Sequence, residues 1–457
     1  MCLIVIMAQS CINDDVTPSS ADTLKFSTDT VSFGTVFTDL QSPTMQLRVL
    51  NKAKKNIVIS SISLQNVSDE RTHFYMNVDG RSGKEFSNVE IRGGDSIYIF
   101  VETKIDASAD RMPTKHSARI NFTTNGVTQQ VVLATQAQNV TRLYNPVYDS
   151  DTRLTADLPY VIFDSITVGK DATLTIDPGT MLYFHDKSGM HIEGKIISNG
   201  TVEAPVTFRG DRLDDVIAKK ASYDIMSAQW AGIRFAPAST GNVFNHTLVR
   251  NTSMGIIIEN NPERDLSTPT LYLYNSVLRN SAANVITSRG AYIKAVGTEF
   301  TDASGSVVKI ETGKINFAQC TIANYYLFSS TYQPNLFLEG EVEAEVTNSI
   351  LAGKQSPLSP TSFTTDKVAF RNCLFEVNGS DDANFIQCIW NADPKFYTVR
   401  EDYFFDYRLK DESDAIAKAN PELCPEEAAL DRYGVARRHD DGTVDVGAYV
   451  YVKQQNP

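Results

Sequence analysis

The chain has 457 residues, 42% of them hydrophobic and 10% aromatic, with a formal net charge of −13. This length calls for two or three folding units, and this apolar content can bury a large core, which excludes global disorder. The negative charge counts against nucleic acid and anionic lipid surfaces as partners, and no apolar run reaches the roughly 18–20 residues of a membrane-spanning helix.

A short apolar run, Cys2 to Ala8, leads into Ala8-Gln9-Ser10-Cys11. Small residues directly before a cysteine resemble the end of a bacterial lipoprotein signal. The resemblance implies a removed leader, a lipid on Cys11 and an outer-membrane protein that faces outward and touches the membrane only through that lipid. Asn13-Asp14-Asp15 resembles the acidic export tag of surface-displayed lipoproteins in some Gram-negative bacteria. The competing reading is a tail with an incidental cysteine. Residues 1–21 are thus a leader and tether, rich in Asp, Ser, Thr and Pro after Cys11.

Residues 22–140 carry short alternating runs: Leu24/Phe26, Val31/Phe33, Met45/Leu47/Val49, Ile57/Ile59, Ile97/Ile99/Val101, Ile120/Phe122 and Val131/Leu133. Alternation with period two marks strands. Asn125-Gly126 marks a two-residue hairpin turn, because that pair accepts positive φ. About seven short strands in such a span predict a β-sandwich. Asp29-Thr-Val-Ser-Phe-Gly-Thr-Val36, Asn51-Lys-Ala-Lys-Lys55 and Gly93-Gly-Asp-Ser96 resemble immunoglobulin-like domains of bacterial surface proteins, which implies a spacer. Residues 141–159, with Pro146 and Pro159, read as a linker.

Within 160–392 one pattern repeats six times. A bend residue (His246, Asn275, Gly297, Gln319, Asn348, Asn372) is followed by a small residue (Thr247, Ser276, Thr298, Cys320, Ser349, Cys373) and then an apolar one (Val249, Leu278, Phe300, Ile322, Leu351, Phe375). The apolar positions are spaced by 29, 22, 22, 29 and 24 residues. Strand-type alternation on either side of each bend, at this period, predicts the coils of a parallel β-helix. Asn at successive bends offers hydrogen bonds along the stack. Cys320 and Cys373 fall two coils apart, about 9–10 Å, too far for a disulfide, and read as buried, reduced packing residues.

Ile166-Thr-Val-Gly-Lys-Asp-Ala-Thr-Leu-Thr-Ile-Asp-Pro-Gly179, Gln229-Trp-Ala-Gly-Ile-Arg-Phe235 and Asp445-Val-Gly-Ala-Tyr449 resemble right-handed parallel β-helix proteins of the pectate-lyase-like superfamily, common among secreted and surface lipoproteins. The resemblance implies a right-handed coil and says little about activity. Segment 393–457, with helix-compatible Glu426–Leu430, is expected to close one end of the stack, because open sheet ends need covers.

Aligning the coils gives two outward ladders, Tyr272–Lys294–Asn316–Glu345–Ala369 and Thr270–Tyr292–Lys314–Glu343–Lys367. Tyr272, Tyr274 and Tyr292 make an aromatic patch suited to stacking on sugar rings, with Lys294 and Asn316 as hydrogen-bonding neighbours. The plainer reading has a loop such as 259–269 lying over them. Beyond the bend the outward residues Leu248, Val277, Glu299, Thr321, Ile350 and Leu374 are mostly apolar, which predicts a covered face. Trp230 reads as a structural anchor of the first full coil.

Hydrolysis needs two carboxylates about 5–10 Å apart across a scissile bond. The acids here sit as a row on one strand (Glu341, Glu343, Glu345), and the Gly-His-Gly of polygalacturonases is missing. Asp211, Asp214 and Asp215 form a weak calcium candidate, with pairing to Arg209 and Arg212 as the alternative. No cofactor motif occurs. The expected protein is all-β, a sandwich followed by a β-helix. It is expected to bind a polysaccharide or other cell-surface glycan without catalysis. The alternative is a lyase or hydrolase acting on an acidic polysaccharide.

Overall fold

The computed structural model describes residues 15–453 apart from 67, 218–220, 329–332, 355 and 360–366. Cys11 lies outside the described residues. The chain divides into two units, 1–140 and 141–457, and both are built from strands. No helix among the described residues is long and apolar enough to cross a membrane.

The first unit is a two-sheet sandwich. Five strands (Lys25–Phe26, Met45–Leu50, Ser96–Ile105, Thr72–Val78, Arg81–Gly83) face a six-stranded sheet around Thr114–Thr124 and Val127–Gln138. The expected alternating residues fill one core: Leu47, Val49, Ile57, Ile59, Ile99, Val101, Ile120, Phe122, Val131 and Leu133 are all buried. Strand Thr72–Val78 joins them, burying Phe74, Met76 and Val78. Asn125 and Gly126 have φ of 50° and 80° between the paired Thr124 and Val127, which is the hairpin their chemistry dictates. Asn51 explains two motifs at once. Its amide donates to the carbonyls of Lys55, Ile91 and Arg92, and Gly93 is obligatory because a Cβ there would lie 2.2 Å from the Lys54 carbonyl oxygen.

The second unit is a parallel β-helix. Each middle coil contributes three strand segments, such as Ile256–Ile258, Leu271–Tyr274 and Val277–Ser281. Two of these merge in the long strands Ile286–Val296 and Val308–Ala318, so the unit has one 16-stranded and one ten-stranded sheet, joined at the bends. The six bend residues have φ between 42° and 60°, His246 and Gln319 included. The left-handed turn is therefore a property of the position. Asn and Gly fit it best, and the other two residues bear its modest cost.

Val249, Leu278, Phe300, Ile322, Leu351 and Phe375 pair in unbroken register and form one buried inner column. Each such side chain contributes about 1.5–3 kcal/mol by leaving water. The small residues form a second column that satisfies its own polar atoms. Ser276 accepts from the Thr247 amide at 3.1 Å, and Ser349 accepts from the Cys320 amide at 3.0 Å. Cys320 and Cys373 are free and buried as expected, and burial pushes the Cys320 thiol up to about 12. Trp230 is buried, stacks on Phe184 at 4.1 Å and donates to the Arg250 carbonyl at 2.7 Å.

Two expectations are corrected. Residues 141–159 are not a linker. Thr141–Tyr144, Val147–Tyr148 and Thr152–Leu154 pair in parallel with the next coil and are the first turn of the helix, because Leu143, Tyr148 and Leu154 supply the inner apolar positions. Nor does 393–452 close an end. The last coil is closed by Phe385 and Trp390, the latter stacked on Phe375 at 4.6 Å. Segment 393–452 instead runs along the ten-stranded sheet. Its Phe396, Tyr407, Leu409 and Val446 share a core with outward Ile350, Ala352 and Leu374. The predicted apolar face is thus covered by the chain's own C-terminal segment.

The bend asparagines hold that segment in place. Asn348 donates to the Asn420 carbonyl at 2.9 Å and accepts from its backbone amide at 2.8 Å, while the Asn275 side-chain amide donates to the Leu430 carbonyl at 3.3 Å. These side chains therefore reach across the bend to another segment. Arg437 lies fully buried beside them, donating to the carbonyls of Gly447 and Ala448. Gly297 suits this crowded bend: at φ 60° a Cβ there would lie 2.6 Å from Arg437 Nη2.

Candidate binding site

The structure assembles the first predicted ladder from Tyr272 to Ala369 and the middle of the second, whereas Thr270, expected to face outward, is buried. Tyr272, Lys294, Asn316 and Glu345 are successive partners on four adjacent strands, and Tyr292, Lys314 and Glu343 form the parallel row. Tyr272 and Tyr274 stack with ring centroids 6.0 Å apart, 24° from coplanar. Tyr272, Tyr274 and Tyr292 are all half-buried, presenting partly open rings on the outer face of the sheet. Burial raises the Tyr274 and Tyr292 hydroxyls above their ordinary value, so both remain protonated donors at neutral pH.

The cations beside these rings are already engaged. Lys294 Nζ sits 2.7 Å from Glu427, which arrives from the C-terminal segment and which no local pattern in the sequence announces. Lys314 pairs with Glu343 at 2.5 Å and lies 5.2 Å from the centre of the Tyr292 ring. Hydrogen bonding to Lys294 pulls the Glu427 carboxyl below its usual range, and Arg289 does the same to Glu311. A general acid needs the opposite displacement.

The calcium candidate dissolves into ion pairs. Asp211 meets His185 Nδ1 at 2.6 Å, and Asp214 takes both nitrogens of the Arg212 fork at 2.6 Å. The side chain of Asp215 lies outside the described residues. Among the described residues no three acidic, His or Cys groups converge as metal ligands. Arg209 turns away from these acids to pair with Asp224 at 2.5 Å.

That pair belongs to a feature the sequence reading passed over. Two positions beyond outward Leu248 and Val277 the register aligns Arg250 with Arg279, with Arg209 one strand earlier. Asp224 fastens this row: its carbonyl accepts from Arg250, Asn251 and Asn280, each at 2.8 Å. A cavity of about 280 Å³ opens beside Arg250 and Arg279, bounded by Asp302, Tyr326, Tyr403 and Phe405. Burial and the neighbouring Arg279 bring the Arg250 guanidinium down to about 9, still charged at neutral pH. Burial raises Asp302 to about 6 despite Arg279 and a hydrogen bond from Tyr407. Extending the ladder alignment by two residues exposes the arginines, whereas the walls come from distant irregular segments.

No family model and no curated protein matches the sequence. Among solved structures, the catalytic domain of a GH87 α-1,3-glucanase in complex with nigerose aligns over 76% of this chain and 87% of its own, at 8% identity and a TM-score of 0.18. A family 123 glycoside hydrolase from Clostridium perfringens aligns over 26% of each chain, at 8% identity and a TM-score of 0.19. BcpA, the major pilin subunit of Bacillus cereus, aligns over 28% of this chain and 43% of its own, at 12% identity and a TM-score of 0.18. The architecture therefore rests on the strand register.

Proposed function

We propose that the protein is a non-catalytic binding protein that recognises a glycan through the outward face of its β-helix, tethered to the outer membrane by a lipid on Cys11 and raised from it by the immunoglobulin-like sandwich. The observation that carries this reading is the placement of Tyr272 and Tyr274 on one strand and Tyr292 on the next strand of the same sheet, with Asn316 on the strand after it. Rings with polar tips suit sugar faces, and a row of strands matches an extended chain. On this face Glu427, Glu343 and Glu345 are paired with Lys294, Lys314 and Arg371, pairing that favours the ionised carboxylate over a proton donor.

A glycan array read beside reducing-sugar and unsaturated-uronate release tests the reading. Saturable binding, lost in Tyr272→Ala/Tyr292→Ala, with no release from any polymer is the expected result. Turnover on any polymer overturns the non-catalytic reading. The hydrolase alternative has one observation in its favour, the raised carboxyl of Asp302 beside a cavity, so turnover abolished by Asp302→Asn is the form it would take. Palmitate labelling lost in Cys11→Ala tests the anchor.

A further inference from the structure

The donors of Arg279 are largely unspent. A guanidinium carries five N–H groups, and a buried one is ordinarily matched to acceptors. The Arg279 side chain is only 18% exposed, yet its one hydrogen bond among the described residues is a long one, 3.4 Å to the Phe405 carbonyl. Its nearest carboxylates, Glu299 and Asp302, stand at 3.9 and 4.0 Å, beyond hydrogen-bonding distance.

Those carboxylates are occupied elsewhere. Glu299 accepts from Tyr449 at 2.5 Å and Thr301 at 2.7 Å, and Asp302 accepts from Tyr407 at 2.5 Å and from the Tyr325 amide at 3.2 Å. They lend Arg279 their charge and little else. The Nε of Arg279 and that of Arg250 are both buried without a hydrogen-bond partner. Both side chains line the same cavity. Its wall includes Tyr403, whose backbone is held at φ 59°, a conformation that a bulky residue adopts only where its surroundings impose it.

We propose that this cavity binds an oxyanion group, a carboxylate, sulfate or phosphate, through Arg279 with Arg250 beside it, the rings of Tyr326 and Tyr403 forming the wall. Planar guanidinium forks match such oxygens in pairs; Arg279 supplies the directed donors, and Arg250 on the neighbouring strand, its terminal nitrogens held by Asp224, adds charge. At about 280 Å³ the space admits one small anion or one charged ring, not an extended chain. The cavity lies on the covered sheet, and the proposal stands independently of the glycan reading for the tyrosine face.

The test is calorimetric titration of the full chain with sodium sulfate, sodium phosphate and galacturonate, with galactose and ionic-strength-matched sodium chloride as references. Saturable binding of at least one oxyanion, absent for galactose and chloride, is expected; which probe binds separates a carboxylate site from a sulfate or phosphate site. Affinity should fall at least tenfold in Arg279→Met. It should fall equally in Leu327→Trp, which fills the cavity and keeps every charge, so a folding defect in the first variant leaves the test intact. Lys170→Met, at an exposed turn of the early coils and outside both faces, should bind as the parent does. No saturable oxyanion binding, or binding unchanged in Leu327→Trp, overturns the proposal.

Discussion

The two sheets of the β-helix are built from the same coils and end differently at their outer surfaces. On the 16-stranded sheet the outward positions beside the bend are Tyr, Lys, Asn and Glu, and the surface stays partly open with its charges paired pointwise. On the ten-stranded sheet the matching positions are Leu, Val, Ile and Leu, interrupted by Glu299 and Thr321, and the chain lays its own C-terminal segment over them. The difference teaches that inward residues set the coil while outward residues decide what the coil does next. Even the interruptions follow that logic: Glu299 receives the hydroxyl of Tyr449, and Thr321 accepts from the Ala448 amide at 3.0 Å.

The inward column sets the largest expected effect, since it serves both sheets. Phe300→Ala should cost about 3–5 kcal/mol, read as a lower urea midpoint, because neighbouring coils fix the cavity left behind. A cost near that of an exposed substitution would break the column. Ile350→Ala should come next, at about 2–5 kcal/mol, although its side chain points out of the coil, because it is buried under the C-terminal segment. Tyr272→Ala on the open sheet should cost about 1 kcal/mol or less. Equal costs for the last two would erase the contrast between the faces.

A pH series sharpens the same contrast. Asp302 titrates near 6 when folded, above its ordinary carboxylate value. The folded state therefore holds that proton more tightly, so its contribution is fully present below the unfolded value and is lost as pH rises through about 6. The expected loss between pH 4 and 7 is on the order of 2–3 kcal/mol, absent in Asp302→Asn. A stability profile that the substitution leaves unaltered would contradict the buried placement. Smallest of all, Lys294→Met should change stability by about 0.2–1 kcal/mol, less in high salt, as a partly exposed ion pair does.

The legible part of this molecule is the part with a period. Val249 to Phe375 declare a column because each copy repeats the same inward and outward order, and Leu248, Val277, Ile350 and Leu374 declare a covered surface by being apolar where solvent was due. What covers them could not be read. Segment 393–452 has almost no regular structure, and it is held by single contacts such as Asn348 to Asn420, Arg437 to Gly447 and Lys294 to Glu427, which have no spacing to recognise. The first coil was misread for a related reason: Pro146 and Pro159 suggested a linker, whereas the strands between them are only two to three residues long. On the tyrosine face both the residues and their neighbours were legible, and only the partner of Lys294 was not. Around Arg279 the arginines follow from register, but the cavity exists only because Tyr326, Tyr403 and Phe405 arrive from elsewhere.

Hydroxyl-radical footprinting of the native full chain compares the two faces in one sample. The account predicts ready oxidation at Tyr272, Tyr274 and Tyr292, and protection at Ile350, Leu374, Tyr407 and Tyr449 until the protein is unfolded. Oxidation of Ile350 and Tyr449 in the native state as fast as that of Tyr272 would contradict it.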